Sequence, residues 1–335
     1  MGASKVLVIG AAGYLGRTLC QRLTREGFSL RALVCHDESV EGLPVSLEVT
    51  RGTVCRRGDV VKALGDAEAI VNCAVVMPDR AKRLPREIYD EVNNHACQLI
   101  LKVAAEKGLE RVILISTAGV LAKNPATGLY DDEAPFRKGY NHYLQSKIDF
   151  EAWLKEHEEK VFPRWVLLRP SSIYGPGPSF KWPQVVDLVR RGKAAILGDG
   201  SCLHPLIDVR DLADAILKAL QQPIEKVQRE RITISDCSPI KVKDVMEKVR
   251  LFAGNGRIRR VPGWLALGAA YLLKFVPRGL KTERLTLLTP GDAWEYIVSR
   301  FYDPRKAEQL LGFKTRIPFD RAMKETLEFH GRGSL

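Results

Sequence analysis

The chain is 335 residues long, 45% hydrophobic and 27% charged, which excludes disordered, fibrous and disulfide-scaffold classes and leaves an ordinary globular protein. Its net charge of +12 favours anionic partners, but the basic residues form no single run and no nucleic-acid motif, so nucleic acid is not an expected partner. The seven cysteines contain no Cys-x-x-Cys pair and no His/Cys cluster, so reduced thiols, no metal and a cytoplasmic setting are expected.

The opening "MGASKVLVIG" reads as the start of a strand, not as a signal peptide: residues 5–10 are a short, branched apolar run suited to a parallel strand buried on both faces. A glycine turn and a helical pattern over 14–27 follow. Further strands are predicted at 30–35, 69–76, 111–117, 164–170 and 230–236. Helices are predicted at 94–108 and 209–223, the second capped at Asp211. This alternation predicts an α/β fold with a doubly wound parallel sheet. From Ser171 the rhythm breaks into turn formers, and helical patterns dominate after Cys237. The expected division is a cofactor domain (1–170 and 203–236) and a smaller, mostly helical C-terminal substrate domain (171–202 and 237–335). The region from Lys241 to Arg316 holds 16 Lys/Arg against 7 Asp/Glu, a net of +9. Within it an apolar helix is predicted between Pro262 and Pro277. About 14 residues at 1.5 Å each span about 21 Å, too short for a ~30 Å hydrocarbon core. It reads as a buried helix, with peripheral membrane contact through 262–278 as the alternative, because Arg257, Arg259, Arg260, Lys274 and Arg278 flank it.

"GAAGYLG" places Gly10, Gly13 and Gly16 between the first strand and the first helix. There Gly10 permits a tight turn, Gly13 lets backbone approach a pyrophosphate, and Gly16 allows close helix–sheet packing. An acid binding the adenosine ribose would fall near Val34, which cannot accept a hydrogen bond. Cys35 stands where an arginine would hold a 2′-phosphate, and His36 or Arg17 partly substitutes. With the acid missing, NADP is favoured over NAD.

In "YNHYLQSK", Tyr143 and Lys147 are four residues apart and share a helix face. Tyr302 and Lys306 have the same spacing. Context separates the two pairs. Tyr143 follows Thr117, a hydroxyl at a strand end, by 26 residues, and a helical run continues past it. Pro304 instead makes a helix start just after Tyr302. Tyr143 and Lys147 are therefore the proton-transfer pair and Tyr302 is packing. A nearby lysine is expected to lower the tyrosine pKa from about 10.

These motifs, in this order, resemble the extended short-chain dehydrogenase/reductases, the NAD-dependent epimerase/dehydratase superfamily that includes nucleotide-sugar epimerases, dihydroflavonol reductases and 3β-hydroxysteroid dehydrogenases. The resemblance runs almost the whole length: the glycine motif, "GDV" with Asp59, "NCA" with Ala74, Asn93 in "EVNN", "ISTAGV" with Ser116 and Thr117, the Tyr143/Lys147 pair, "LRPSSIYGPG" and "IDVRDLADAI". It implies a Rossmann-type cofactor domain. Cofactor contacts are implied at Gly10, Gly13, Tyr14, Leu15 and Gly16, then at Cys35, His36, Asp59 (at the adenine) and Val60. Further ones are implied at Ala74, Asn93, Ser116, Tyr143, Lys147, Pro170 and Ile173. Thr117 would hold the substrate oxygen, with further substrate contacts at Val76, Ser172 and His204.

Two departures narrow the substrate. Nucleotide-sugar members carry Asn and Arg as diphosphate anchors where this chain has Ser172 and His204, and the dehydratase Asp-Glu pair is replaced by Ala118-Gly119. The expected activity is hydride transfer between nicotinamide and a secondary alcohol or ketone of a small molecule, anionic or hydrophobic. A nucleotide-sugar epimerase using the same site and a non-catalytic NAD(P)-binding sensor are the alternatives. The resemblance also implies a homodimer through helix 94–108 and the catalytic helix, where Leu99, Ile100, Leu101, Val103, Ala104, Phe150, Trp153 and Leu154 offer apolar surface.

Overall fold

A computed structural model describes residues 5–78, 84–178, 181–236, 238–254, 256–273 and 290–331. The first part of the chain runs β1 (Lys5–Ile9), α1 (Tyr14–Arg25), β2 (Ser29–Val34), β3 (Glu48–Arg51), α2 (Arg57–Leu64), β4 (Ala69–Asn72), α3 (Arg86–Asp90), α4 (Ala96–Lys107), β5 (Arg111–Ile115), α5 (His142–His157) and β6 (Trp165–Pro170). The second runs β7 (Ser172–Tyr174), α6 (Lys181–Arg190), β8 (Ala194–Leu197), β9 (Leu203–His204), β10 (Leu206–Asp208), α7 (Val209–Gln221), α8 (Ile224–Val227) and β11 (Glu230–Ile234). It ends with β12 (Ile240–Lys241), α9 (Val242–Phe252), β13 (Ile258–Val261), α10 (Gly263–Leu272), α11 (Pro290–Ile297), α12 (Arg305–Leu311) and α13 (Phe319–Gly331).

Seven strands form one parallel sheet in the order β3-β2-β1-β4-β5-β6-β11. Its central strands are mostly apolar because helices cover both faces. Leu19, Leu23, Leu212 and Ile216 of α1 and α7 pack on one side, and Ala63, Ile100, Leu101, Phe150 and Leu154 of α2, α4 and α5 on the other. The doubly wound sheet is as expected. Two of its elements were not foreseen. β3 is an edge strand with three exposed residues and one half-buried, so it lacks the apolar run, and α2 opens on Arg57 and Gly58. The cap of α7 is Asp208, not Asp211: Asp208 accepts from the Arg210 amide at 2.8 Å. Asp211 lies in the first turn, where it accepts the amides of Arg316 and Ile317.

A second core forms around Trp182, Val186, Val189, Val249, Ala322, Met323 and Leu327, from α6, α9 and α13. The chain then crosses back. Ala307, Leu311 and Phe313, in the stretch assigned to the smaller domain, pack in the first core beside α7. The apolar surface expected to form a two-fold contact is largely consumed within the chain. Ile100, Leu101, Val103, Ala104, Phe150 and Leu154 are buried, and Leu99 and Trp153 pack partly against the same core. A helix between two layers needs more than one apolar stripe, which accounts for the excess. Of the predicted 262–278 segment, α10 and Leu273 are described; Lys274 and Arg278, like Cys237, lie outside the described residues. The six described cysteines are free thiols.

Candidate active site

A cavity of about 650 Å³ opens at the carboxyl ends of the strands, where β1 and β4 diverge in chain order. Gly10 sits at φ +76°, and a Cβ there would lie 2.7 Å from the Ala74 nitrogen. A Cβ on Gly16 would overlap the Gly10 carbonyl oxygen, so this glycine serves packing and stays off the cavity wall. Gly13, Tyr14 and Leu15 do line it. Gly13 caps α1 without a side-chain hydrogen bond, and no acid stands in the first turn. The free amides and positive end of this helix, beside a glycine cradle, fit the pyrophosphate of a dinucleotide. Tyr14 donates to the Gly175 carbonyl at 2.8 Å and closes the wall toward β7.

The cavity wall past β2 carries a feature not read from the sequence. Past β2 the chain turns back on itself: the Cys35 amide donates to Glu38 Oε2 at 2.9 Å, and Arg51 Nη1 holds the carbonyls of Cys35, His36 and Glu38. Glu38, four residues past Val34, thereby joins Val34 and Cys35 in the cavity wall. An acid therefore lines the cavity here, supplied by the turn instead of the strand end. His36 is exposed and does not line the cavity, and Arg17 is tied to the carbonyls of Ala12, Ser39 and Glu41. Asp59 and Val60 stand behind the wall. Asp59 accepts from the Thr53 amide at 2.9 Å and so shapes the Gly52–Val54 edge, while Val60 is core.

Thr117, Tyr143 and Lys147 all line the cavity, and the Tyr143 phenol hydrogen-bonds Thr117. Asn141 caps α5 by accepting the Leu144 amide at 2.7 Å, which fixes where Tyr143 emerges. Lys147 is buried and donates to the Ile115 carbonyl at 2.8 Å. Burial lowers its pKa, and the Glu151 carboxylate is among the groups opposing that. The expected lowering of the Tyr143 pKa by Lys147 does not occur, because the ammonium is directed at Ile115. Burial instead pushes the phenol up to about 12, with only a hydrogen bond to Thr117 acting against it. Asn93 lies off the cavity wall, on a π-helical turn (Glu91–His95). Its amide grips Val76 from both sides and donates to Ser146 Oγ at 3.1 Å, linking the β4 extension to α5. Ala74, Val76, Ser116, Pro170, Ser172, Ile173 and His204 are all in the wall.

Beneath the site runs a buried charge network not foreseen from the sequence. Ser116 Oγ donates to Glu151, and Arg169 donates to Glu151 Oε2 through Nη2 at 2.6 Å and Nε at 3.0 Å. Arg169 also reaches Asp132, which accepts from Thr233. Glu151 is one turn past Lys147, and Arg169 is a charge within the wholly buried β6, two signals that could have revealed it. Elsewhere in the wall His204 stacks on Tyr296, with centroids 5.8 Å apart. Arg300 bonds Glu295, whose other oxygen accepts from Arg137 at 3.0 Å. Tyr302 packs edge-on against Tyr130 at 5.8 Å and also forms part of this wall. Glu295, Tyr296 and Arg300 carry no local motif; only the fold brings them to the cavity.

Known proteins place this arrangement. A sterol-4-alpha-carboxylate 3-dehydrogenase (decarboxylating) of Candida albicans is 25% identical over 346 residues, covering 97% of each chain. A 2-alkyl-3-oxoalkanoate reductase of Shewanella oneidensis is 24% identical, covering 96% of this chain and 85% of that protein. The solved UDP-glucose 4-epimerase of Thermus thermophilus, in complex with NAD, shares the fold with a TM-score of 0.73 at 19% identity, covering 99% of this chain and 100% of that one. Residues 6–235 match the NAD dependent epimerase/dehydratase family, and the chain therefore belongs to that family, an enzyme of the extended short-chain dehydrogenase/reductase type.

Proposed function

We propose that the protein moves hydride between NAD(H) and the carbinol or carbonyl carbon of a largely apolar small molecule that carries a carboxylate one carbon away. The observation that carries this reading is that Thr117, Tyr143 and Lys147 line one cavity whose wall also holds Arg300. Lys147 and Arg300 are the only Lys or Arg side chains among the described lining residues. Lys147 uses one of its three N–H donors on Ile115 and keeps two for the nicotinamide ribose hydroxyls. Arg300 is then the cation left for an anionic substrate group, and the Arg137–Glu295–Arg300 cluster keeps one net positive charge. Val76, Met77, Leu144 and Pro205 supply apolar wall. The names of the two relatives above both put a carboxylate on the carbon next to the one that reacts.

The nicotinamide ring, when bound, supplies or accepts the hydride. The chain's own groups handle the proton. With its pKa near 12, Tyr143 holds its proton at neutral pH, so it suits donation to the oxygen of a ketone being reduced. Thr117 Oγ1 accepts from the Gly119 amide at 3.2 Å, an arrangement that fixes the hydroxyl beside that oxygen. A nucleotide-sugar epimerase would use the same groups, but Ser172 and His204 occupy the positions of its diphosphate anchors. Turnover assays with NADH should therefore favour 3-oxo acids with an aliphatic or sterol body over their methyl esters and over UDP-sugars. Faster turnover of a UDP-sugar would reject the reading.

The Glu38 carboxylate supports NAD(H) over the NADP(H) expected from Val34 and Cys35, since it accepts ribose hydroxyls and repels a 2′-phosphate. NADH should bind at least about tenfold more tightly than NADPH in fluorescence titrations, about 1.4 kcal/mol. Glu38→Arg should narrow or reverse that ratio. A wild-type preference for NADPH would contradict it.

A further inference from the structure

The ten-residue α10 bears no charged side chain and exposes much of its apolar surface: Trp264 is 76% exposed, Leu272 70%, Tyr271 49% and Leu265 48%. At about 100° per residue these four and Gly268 fall within an arc of roughly 120°, opposite the buried Ala266 and Ala270 that seat the helix. Trp294 on α11, the helix packed beside α10, is also exposed at 46%. β13, separated from α10 by Pro262 alone, presents exposed Arg257, Arg259 and Arg260 around it. No Asp or Glu occurs from Lys248 to Leu273, and among the described residues none of these three arginines forms an ion pair.

From this juxtaposition we propose that the α10–β13 face docks on an anionic lipid bilayer, with Trp264, Leu265, Tyr271 and Leu272 entering the interface and the three arginines meeting lipid phosphates. Monomeric proteins rarely leave so contiguous an apolar patch in water, and an apolar helical face rimmed by arginine, with Trp and Tyr, is the composition of an interfacial helix. Among the described residues no helix is long and apolar enough to cross a membrane, so α10 lies in the interface plane. A second copy of this chain is the poorer occupant, because the 241–316 region, at a net +9, would face itself. The placement also bears on the active site. α11 turns Trp294 outward while its neighbours Glu295 and Tyr296 line the substrate end of the cavity, so the docked face stands one helix away from that end. The inference rests on α10 and β13, whatever the substrate.

The test is co-sedimentation of the full chain with phosphatidylcholine vesicles, with and without phosphatidylserine. The wild type should sediment with the phosphatidylserine vesicles, less so at high salt. Trp264→Ser/Leu272→Ser should weaken that binding at least about tenfold, since each removes an apolar side chain from the interface. Arg257→Gln/Arg259→Gln/Arg260→Gln should abolish the preference for phosphatidylserine. Both variants should keep the wild-type melting temperature and NADH titration, as the residues are exposed. Absence of wild-type binding, or undiminished binding by the Trp264/Leu272 variant, would overturn the proposal. So would light scattering that shows a dimer which the same variant dissociates, because a second copy would then cover the face.

Discussion

Tyr143→Phe should lower turnover about 10²–10⁴-fold with little change in NADH affinity, the range expected when a positioned proton donor is lost. The substitution removes only the phenol oxygen and leaves the ring packed beside Val120, Ala134 and Leu144. The decoy provides the control. Tyr302 is buried against Tyr130, and Lys306 pairs with Glu230 at 2.8 Å, away from the Thr117 hydroxyl. Tyr302→Phe should therefore act on KM through the substrate wall and leave kcat near wild type. Near-normal turnover of Tyr143→Phe, or an equal loss of kcat in Tyr302→Phe, would overturn the assignment of roles.

Arg169→Met should cost about 3–5 kcal/mol in urea unfolding, because it strands the Glu151 and Asp132 carboxylates in the protein interior. Arg169 and Glu151 are 2% and 0% exposed, so water cannot replace the lost partner. Glu151→Leu/Arg169→Met should recover part of the loss, since a buried pair replaced by apolar groups leaves one uncompensated charge fewer. Its activity should stay low. Glu151 holds Ser116, the residue between Ile115 and Thr117, against α5, and the double variant releases that strand end. A single variant as stable as wild type would mean that the network is not the support the geometry describes.

The doubly wound sheet was legible because most of its strands are buried on both faces and appear as largely apolar runs. β3 and α2 were not, since each mixes charged and apolar residues over a few positions. Tyr143, Lys147 and Thr117 could be found because spacing and a strand end are local properties. Glu38 and Arg300 could not. Whether Glu38 reaches the cavity depends on how the Cys35–Glu38 turn is pulled back by Arg51, and Arg300 reaches it only through the packing of α11 and β9. The apolar face of α4 is ambiguous in sequence for a physical reason: most of its residues fill the layer between sheet and helices, while Leu99 stays partly buried.

The most direct measurement follows a label. The protein would be incubated with NADH deuterated at the transferring position of nicotinamide C4 and a 3-oxo acid that it turns over, and the alcohol examined by mass spectrometry. One deuterium on the carbinol carbon per NADH consumed, lost in Tyr143→Phe, is the predicted result. Deuterium that stays on the cofactor while the substrate is merely epimerised would contradict the account.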